Sequence, residues 1–146
     1  MRSEATLDAV SRTADRWSDI ADLVGRIALA SLFLMSGVDK LFIHTAETIQ
    51  LMQAYHVPLA GLLIYPSGVF ELAAGLALAA GYRARLAALL LALFTAFVSP
   101  IFHAFWSAPP DQALVQMLFF TKNVAIFGGL LHVAGRGTGR LALQRE

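Results

Sequence analysis

The sequence predicts an all-α membrane protein: an up-down bundle of four transmembrane helices with an N-terminal amphipathic helix. Two observations predict this fold class. Of the 146 residues, 58% are hydrophobic and only 14% are charged, whereas a soluble domain carries about 25% charged residues. Four stretches are also apolar enough to cross the hydrocarbon layer, which takes about 20 residues of helix. The expected surroundings of the chain are therefore a lipid bilayer.

The N-terminal segment, residues 1–21, is predicted to form an amphipathic helix on the cytoplasmic membrane surface. Leu7, Val10 and Trp17 recur at helical spacing, and charged residues lie off that stripe. Acidic residues occur throughout the segment, so it does not resemble a signal peptide. The alternative is that the segment is a soluble extension of the first span.

The membrane domain is predicted to cover residues 22–135, and residues 136–146 are predicted to form a short cytoplasmic tail. The links between the later spans are short and rich in turn residues, which favours antiparallel neighbours in a bundle. The four spans are expected at about 22–42, 57–80, 86–106 and 113–134.

The distribution of arginine predicts the orientation of the spans. Arginines cluster before the first span, between the second and third spans, and in the tail. Cytoplasmic segments of membrane proteins carry an excess of Lys and Arg, so both termini are predicted to face the cytoplasm. The arginines that predict this are Arg2, Arg12, Arg16, Arg83, Arg85, Arg136, Arg140 and Arg145.

Composition also limits the chemistry of the chain. The sequence has no cysteine, which excludes disulfides, thiolate metal sites, iron–sulfur ligation and covalently attached haem. The four histidines do not share one depth, so neither a metal site nor a tightly bound cofactor is predicted. The net charge of only +1 does not indicate a nucleic-acid-binding protein, which would carry a strongly basic surface. No self-contained catalytic motif is present, which leaves open whether the protein is an enzyme.

Polar residues inside the spans predict a buried cluster of Glu71, Lys122, Asn123 and Arg26. Charged groups in hydrocarbon usually pair or line a pathway. Glu71 and Lys122 are both deep in their spans, so we predict that they form an ion pair. Two roles remain open for this pair: fixing which helices are neighbours, or serving a ligand or a proton.

Small residues accompany these charged residues at helical spacing and predict which faces turn inward. Gly37 shares a face with Arg26 in the first span, Gly68 shares one with Glu71 in the second, and Ala125 shares one with Lys122 in the fourth. Small residues let helix backbones approach each other in a membrane, so these three faces are predicted to point into the bundle.

A second candidate site is predicted near the outer interface, where Lys40, His103 and Trp106 fall at one level. Histidine and lysine can donate hydrogen bonds to a quinone carbonyl, and an indole offers a flat stacking surface. The hypothesis is one pocket for a polar headgroup such as that of a quinone. The alternative is three unrelated interface anchors.

Several strings together resemble the DoxX family of four-helix membrane proteins. They are "GVDKLF" at the end of span one, Glu71 in span two, "FHAFW" at 102–106 and "TKNVAIFGG" at 121–129. The resemblance covers about residues 26–139. It implies a bacterial-type inner-membrane protein, and some family members resemble parts of membrane oxidoreductase complexes.

The resemblance favours an accessory subunit of a quinone-linked membrane oxidoreductase complex. In that interpretation the redox centre is a diffusible quinone or belongs to a partner subunit. The alternatives are a pathway for a small solute or a proton, and a membrane scaffold without a ligand. Assembly into a homo-oligomer is compatible with each of them.

Overall fold

The computed structural model describes the backbone of residues 2–144 and the side chains of residues 15–144. That part of the chain is helical and contains no strand. Four of its segments are long and apolar enough to span a membrane, which confirms the predicted fold class. The elements are α1 (Arg2–Val38), a π-helical turn (Asp39–Ile43), α2 (Thr45–Ala54), α3 (Ala60–Ala80), α4 (Ala84–Phe102), a 3₁₀ turn (Phe105–Ser107) and α5 (Pro110–Arg136).

The first helix continues without a break from Arg2 to Val38. The N-terminal segment therefore belongs to the same helix as the first span. Its apolar stretch, together with the π-helical turn, runs from Asp15 to Ile43. The side chains of Leu7 and Val10, on which the predicted amphipathic stripe depends, lie outside the described residues.

The spanning helices form an up-down bundle in which α1 packs on α3, α3 on α4, and α4 on α5. The ring is nearly open on its fourth side, because α1 and α5 touch at only a few points. One end of the bundle, here called the tail end, holds the α3–α4 turn and residues 137–144. The opposite end is called the α2 end. This arrangement leaves a groove between α1 and α5 at the tail end.

Glycines set the close approach of α1 and α3. A Cβ atom on Gly37 would lie 2.7 Å from Cγ of Leu72 and 2.9 Å from the carbonyl oxygen of Gly68. A Cβ atom on Gly68 would lie 2.7 Å from Cγ of Leu41. Both glycines are buried, which confirms that the small-residue faces of the first and second spans point into the bundle.

Residues 137–144 fold back against the tail end of the bundle. Helix α3 ends at Gly81, whose φ of +71° suits glycine. The Leu143 N–H donates to the carbonyl of Ala80 and the Gln144 N–H to that of Gly81, both at 3.0 Å. These bonds satisfy carbonyl groups that a helix end leaves without intrahelical partners. The segment is thus an integral part of the bundle.

A small apolar cluster closes the α2 end. Met52 of α2 packs with Ala60 and Ile64 of α3, and Phe102 of α4 joins them from the side. Helix α2 thus packs on the first turns of α3 and also contacts the π-helical turn. The bundle therefore has a covered α2 end and a tail end lined by arginines.

Candidate functional site

An ion pair between Lys40 and Glu71 joins the π-helical turn to α3. The lysine Nζ lies 2.8 Å from Oε1 and 2.9 Å from Oε2 of the glutamate. The hydroxyl of Ser36 donates to Oε2 at 3.1 Å. Glu71 is 3% exposed, and the side chain of Lys40 is 21% exposed. A buried carboxylate is costly unless it is paired and hydrogen-bonded, and Glu71 is both.

The π-helical turn brings Lys40 to this position. The turn is closed by the His44 N–H, which donates to the carbonyl of Asp39 at 2.8 Å. The Lys40 ammonium also lies 5.5 Å from the ring centroid of Phe94 on α4, so the pair and its contacts join four elements: α1, the π-helical turn, α3 and α4. Asp39 bonds instead to Nδ1 of His44 at 2.6 Å, and this hydrogen bond raises the pKa of His44 above its usual value.

The prediction that Glu71 pairs with Lys122 is wrong, because the glutamate is bound by Lys40. Lys122 is exposed, and its ammonium lies 4.9 Å from the ring centroid of Phe119, one turn earlier on α5. A long lysine side chain can extend along the helix towards the nearer interface while its stem stays on apolar surface. Ala125 is exposed as well, so the predicted inward face of the fourth span is also wrong.

The buried side of α5 carries Asn123 in place of Lys122. Its Nδ2 donates to Oγ of Ser99 on α4 at 3.0 Å, and a groove of about 230 Å³ lies beside this bond. Further along α5 the buried residues are Leu130 and Val133. The series from 123 through 130 to 133 follows helical spacing, which explains why the neighbouring Lys122 faces outward.

Arg26, the fourth residue of the predicted cluster, lies at the tail end. It is 1% exposed, and its guanidinium donates to the carbonyl oxygens of Leu78, at 3.5 Å, and Leu141. The four predicted residues therefore occupy separate places. Glu71 binds Lys40, Asn123 binds Ser99, Arg26 binds the tail, and Lys122 is exposed.

A second group of polar and aromatic side chains lies near the α2 end and is called here the α2-end cluster: Tyr55, Phe102, His103, Gln116 and Phe119. His103 Nδ1 is 2.9 Å from Oε1 of Gln116, whose Nε2 lies 3.3 Å from the hydroxyl of Tyr55. The His103 ring lies 5.3 Å from that of Phe119, and the Tyr55 ring lies 5.3 Å from that of Phe102. The cluster links the end of α2 to α4 and α5.

The three residues of the predicted outer pocket each have partners of their own. Lys40 is bound to Glu71, and His103 is bound to Gln116. Trp106 is 60% exposed and packs edge-on against the rings of Phe105 and Phe120. Of these three residues, His103 is the one that lies in the α2-end cluster.

Sequence reasoning missed Ser36, Tyr55 and Gln116. Gln116 had the clearest signal, since it is the one strongly polar residue between Leu114 and Phe120. Tyr55 lies in a link whose fold could not be placed relative to the spans. Its side chain reaches α5 because α2 turns back over the bundle.

The fold and its buried polar contacts define a four-helix integral membrane protein. The model of the DoxX family matches residues 21–104, and that of the SURF4 family matches residues 67–146. The chain belongs to the DoxX family, as the sequence motifs indicated.

Two relatives from Escherichia coli strain K12 support this assignment. Inner membrane protein YphA is 30% identical over 124 residues, covering 85% of this chain and 88% of the relative. Inner membrane protein YqjF is 34% identical over 127 residues, covering 87% and 92%. No solved structure matches. The chain is thus a DoxX-family integral inner-membrane protein.

Proposed function

We propose that the protein is an accessory subunit of a quinone-linked membrane oxidoreductase complex and contributes a headgroup site. The observation that carries the proposal is the hydrogen-bonded series His103–Gln116–Tyr55. It lies between the rings of Phe102 and Phe119, near the end of α4. A quinone headgroup offers carbonyl oxygens and a flat ring, and this cluster offers hydrogen-bonding groups beside aromatic surfaces.

The directions of these hydrogen bonds determine which donors and acceptors of the cluster remain free to bind a headgroup. Gln116 donates its amide to the Tyr55 oxygen, which leaves the Tyr55 O–H to donate to a quinone carbonyl. When Nδ1 of a neutral His103 donates to Gln116, its Nε2 is left as an acceptor for a quinol hydroxyl. The cluster therefore suits both the oxidised and the reduced headgroup.

In this proposal the electron-carrying group is a diffusible quinone or belongs to a partner, because a chain without cysteine has no ligands for an iron–sulfur cluster and no attachment site for covalent haem. Quinones carry electrons by their own chemistry, and the protein supplies binding and orientation. A partner subunit would then supply the electrons or accept them. Because the chain supplies the binding site and the partner supplies or accepts the electrons, we propose an accessory subunit and not a self-contained enzyme.

A fluorescence titration tests the headgroup site. The chain has two tryptophans, so Trp17→Phe leaves Trp106, three residues after His103, as the single reporter. A short-tail quinone should quench it with saturation. His103→Leu should weaken binding at least about tenfold, or 1.4 kcal/mol, because it removes a hydrogen-bonding group from the headgroup. Gln112→Leu, an exposed change on α5, should leave the titration unchanged.

The same variants test the partner. A tagged chain purified in mild detergent from its own membranes should copurify with a partner that has quinone-reductase activity. His103→Leu should copurify with the same partner but show lower quinone-reductase activity.

In the fluorescence titration, quenching that never saturates, or equal quenching in the His103→Leu chain, would contradict the headgroup site.

The orientation of the protein is proposed from the charges at the two ends. Arg83, Arg85, Arg136 and Arg140 all lie at the tail end, whereas Lys40 is neutralised in the interior by Glu71. The positive-inside rule then places the tail end, with both termini, in the cytoplasm.

Single cysteines test this orientation in a chain that has none. In intact spheroplasts, a membrane-impermeant thiol reagent should label Ser107→Cys at the α2 end. It should label Tyr82→Cys and Gln144→Cys only after permeabilisation, because these exposed positions lie at the tail end. Labelling of position 82 or 144 in intact spheroplasts would reverse the orientation.

A further inference from the structure

The groove between α1 and α5 at the tail end has a volume of about 430 Å³. Small-molecule sites in proteins have volumes of about 300–1,000 Å³. The groove faces the open side of the bundle, where α1 and α5 scarcely touch. Gly25 and Gly129 help to form its walls, and a Cβ atom on Gly25 would meet nothing within 4 Å. It is a concave site that opens towards lipid.

A buried arginine lies in this groove with one hydrogen-bonding group unused. Arg26 is 1% exposed, and within the described side chains its Nε is buried without a hydrogen-bond partner. Its other nitrogens donate to the carbonyl oxygens of Leu78 and Leu141. A buried donor that lacks a partner costs free energy, so an acceptor that reached Nε from the groove, which Arg26 lines, would stabilise the folded chain.

The remaining polar side chains of the groove include both basic and acidic groups. His132 and Arg136 lie on the last turns of α5, opposite Asp22 of α1. The C-terminal end of α5 also presents carbonyl groups, which favour a nearby cation. The groove therefore suits a ligand that has a negative and a positive group close together, more than a purely anionic ligand.

The level of the groove fits the headgroup layer of a membrane. Arg26 is level with the last turn of α3, because it donates to the carbonyl of Leu78. Arg136 is the last residue of α5. The helix ends mark the boundary of the hydrocarbon, beyond which lie the polar headgroups. Leu29 and Val133 line the groove as well, and they provide apolar surface for an acyl chain.

The geometry points to a site for a zwitterionic phospholipid with a primary ammonium, of the phosphatidylethanolamine class. Its phosphate accepts a hydrogen bond from Arg136 and, when the side chain of Arg26 shifts towards the groove that it lines, a second one from Nε of Arg26. Its ammonium donates to the carboxylate of Asp22. Its acyl chains lie along Leu29 and Val133. This site is independent of the headgroup site proposed at the α2 end, because it lies at the other end of the bundle.

Native mass spectrometry with equimolar phosphatidylethanolamine, phosphatidylcholine and phosphatidylglycerol tests this assignment. The parent chain should retain the ethanolamine lipid about fivefold over the other two, since one extra charge-assisted hydrogen bond accounts for a factor of that order. Asp22→Asn should reduce the preference over phosphatidylcholine, because a neutral amide oxygen accepts a weaker hydrogen bond than a carboxylate does and a quaternary ammonium donates none. Arg136→Gln should weaken all three about tenfold, because it removes a hydrogen bond to the charged phosphate that the three lipids share.

The matched control is Arg16→Gln, which removes an exposed arginine at the same end but outside the groove. It should leave the retention of all three lipids unchanged. Equal retention of the three lipids by the parent chain, or an unchanged preference in Asp22→Asn, would overturn the proposal. Saturation by water-soluble phosphoethanolamine at the same concentrations would overturn the assignment to a lipid.

Discussion

Glu71→Gln is expected to lower the free energy of unfolding of the bundle by about 3 kcal/mol. Breaking a buried ion pair from one side costs about 3–5 kcal/mol in soluble proteins, because the other charge is left buried without a partner. The lower end of that range applies here, since polar groups in a membrane find alternative partners. In the variant, Lys40 would still lie between residue 71 and the Phe94 ring, but no carboxylate would neutralise its positive charge.

A double-mutant cycle makes this expectation specific to the pair. Lys40→Met should also destabilise the bundle, and combining it with Glu71→Gln should recover part of the loss. Lys122→Met is the matched control, because Lys122 is exposed and exposed substitutions usually change stability by less than about 0.5 kcal/mol. The free energies are measured by titrating the protein from mild detergent into SDS. Additive single effects would show that Lys40 and Glu71 are not coupled.

Gly37→Ala is expected to destabilise the bundle by about 1–3 kcal/mol, the usual cost of forcing extra atoms into a well-packed interface. The added methyl would lie 2.9 Å from the carbonyl oxygen of Gly68. A backbone atom in a helix cannot move aside, so α1 and α3 must separate. Gly37 lies one turn before Lys40, and separation there would also lengthen the contact with Glu71.

Gly128→Ala is the matched control for this prediction. A Cβ atom on Gly128 meets nothing within 4 Å, and alanine is favoured over glycine in a helix by about 1 kcal/mol. The control should therefore be neutral or stabilising, whereas Gly37→Ala is destabilising. Gly68→Ala should fall between them, because its new methyl meets the flexible side chain of Leu41. Equal effects at Gly37 and Gly128 in the same SDS titration would contradict the close approach of α1 and α3.

The span number and the inward faces of α1 and α3 follow from the sequence alone. Hydrocarbon thickness fixes the length of a spanning helix, and the glycines that accompany Arg26 and Glu71 indicate the packed side. Helix α3 begins at Ala60, whereas hydropathy alone places the start of the second span at 57. Helix α4 ends at Phe102, but the apolar stretch continues through the 3₁₀ turn to Ser107, because apolar residues also occupy the turns that pack on the bundle.

The partner of Glu71 could not be predicted from depth along its own span. The π-helical turn and the packing of Gly37 against Leu72 set the level of α1 relative to α3, and neither is visible in hydropathy. Within one span, Lys122 and Asn123 differ by about 100° around the helix axis. The sequence does not indicate which of two adjacent polar residues points inward when one of them can extend along the helix.

The contact between Arg26 and the tail links the earliest and latest parts of the membrane domain to be synthesised. Arg26 donates to the carbonyl of Leu141, 115 residues further along the chain. During translation the first helix must enter the membrane before that carbonyl exists, so its arginine remains incompletely bonded until α5 and residues 137–144 have emerged. Residues 137–144 thus complete the bonding of a buried arginine that lies more than a hundred residues earlier in the chain.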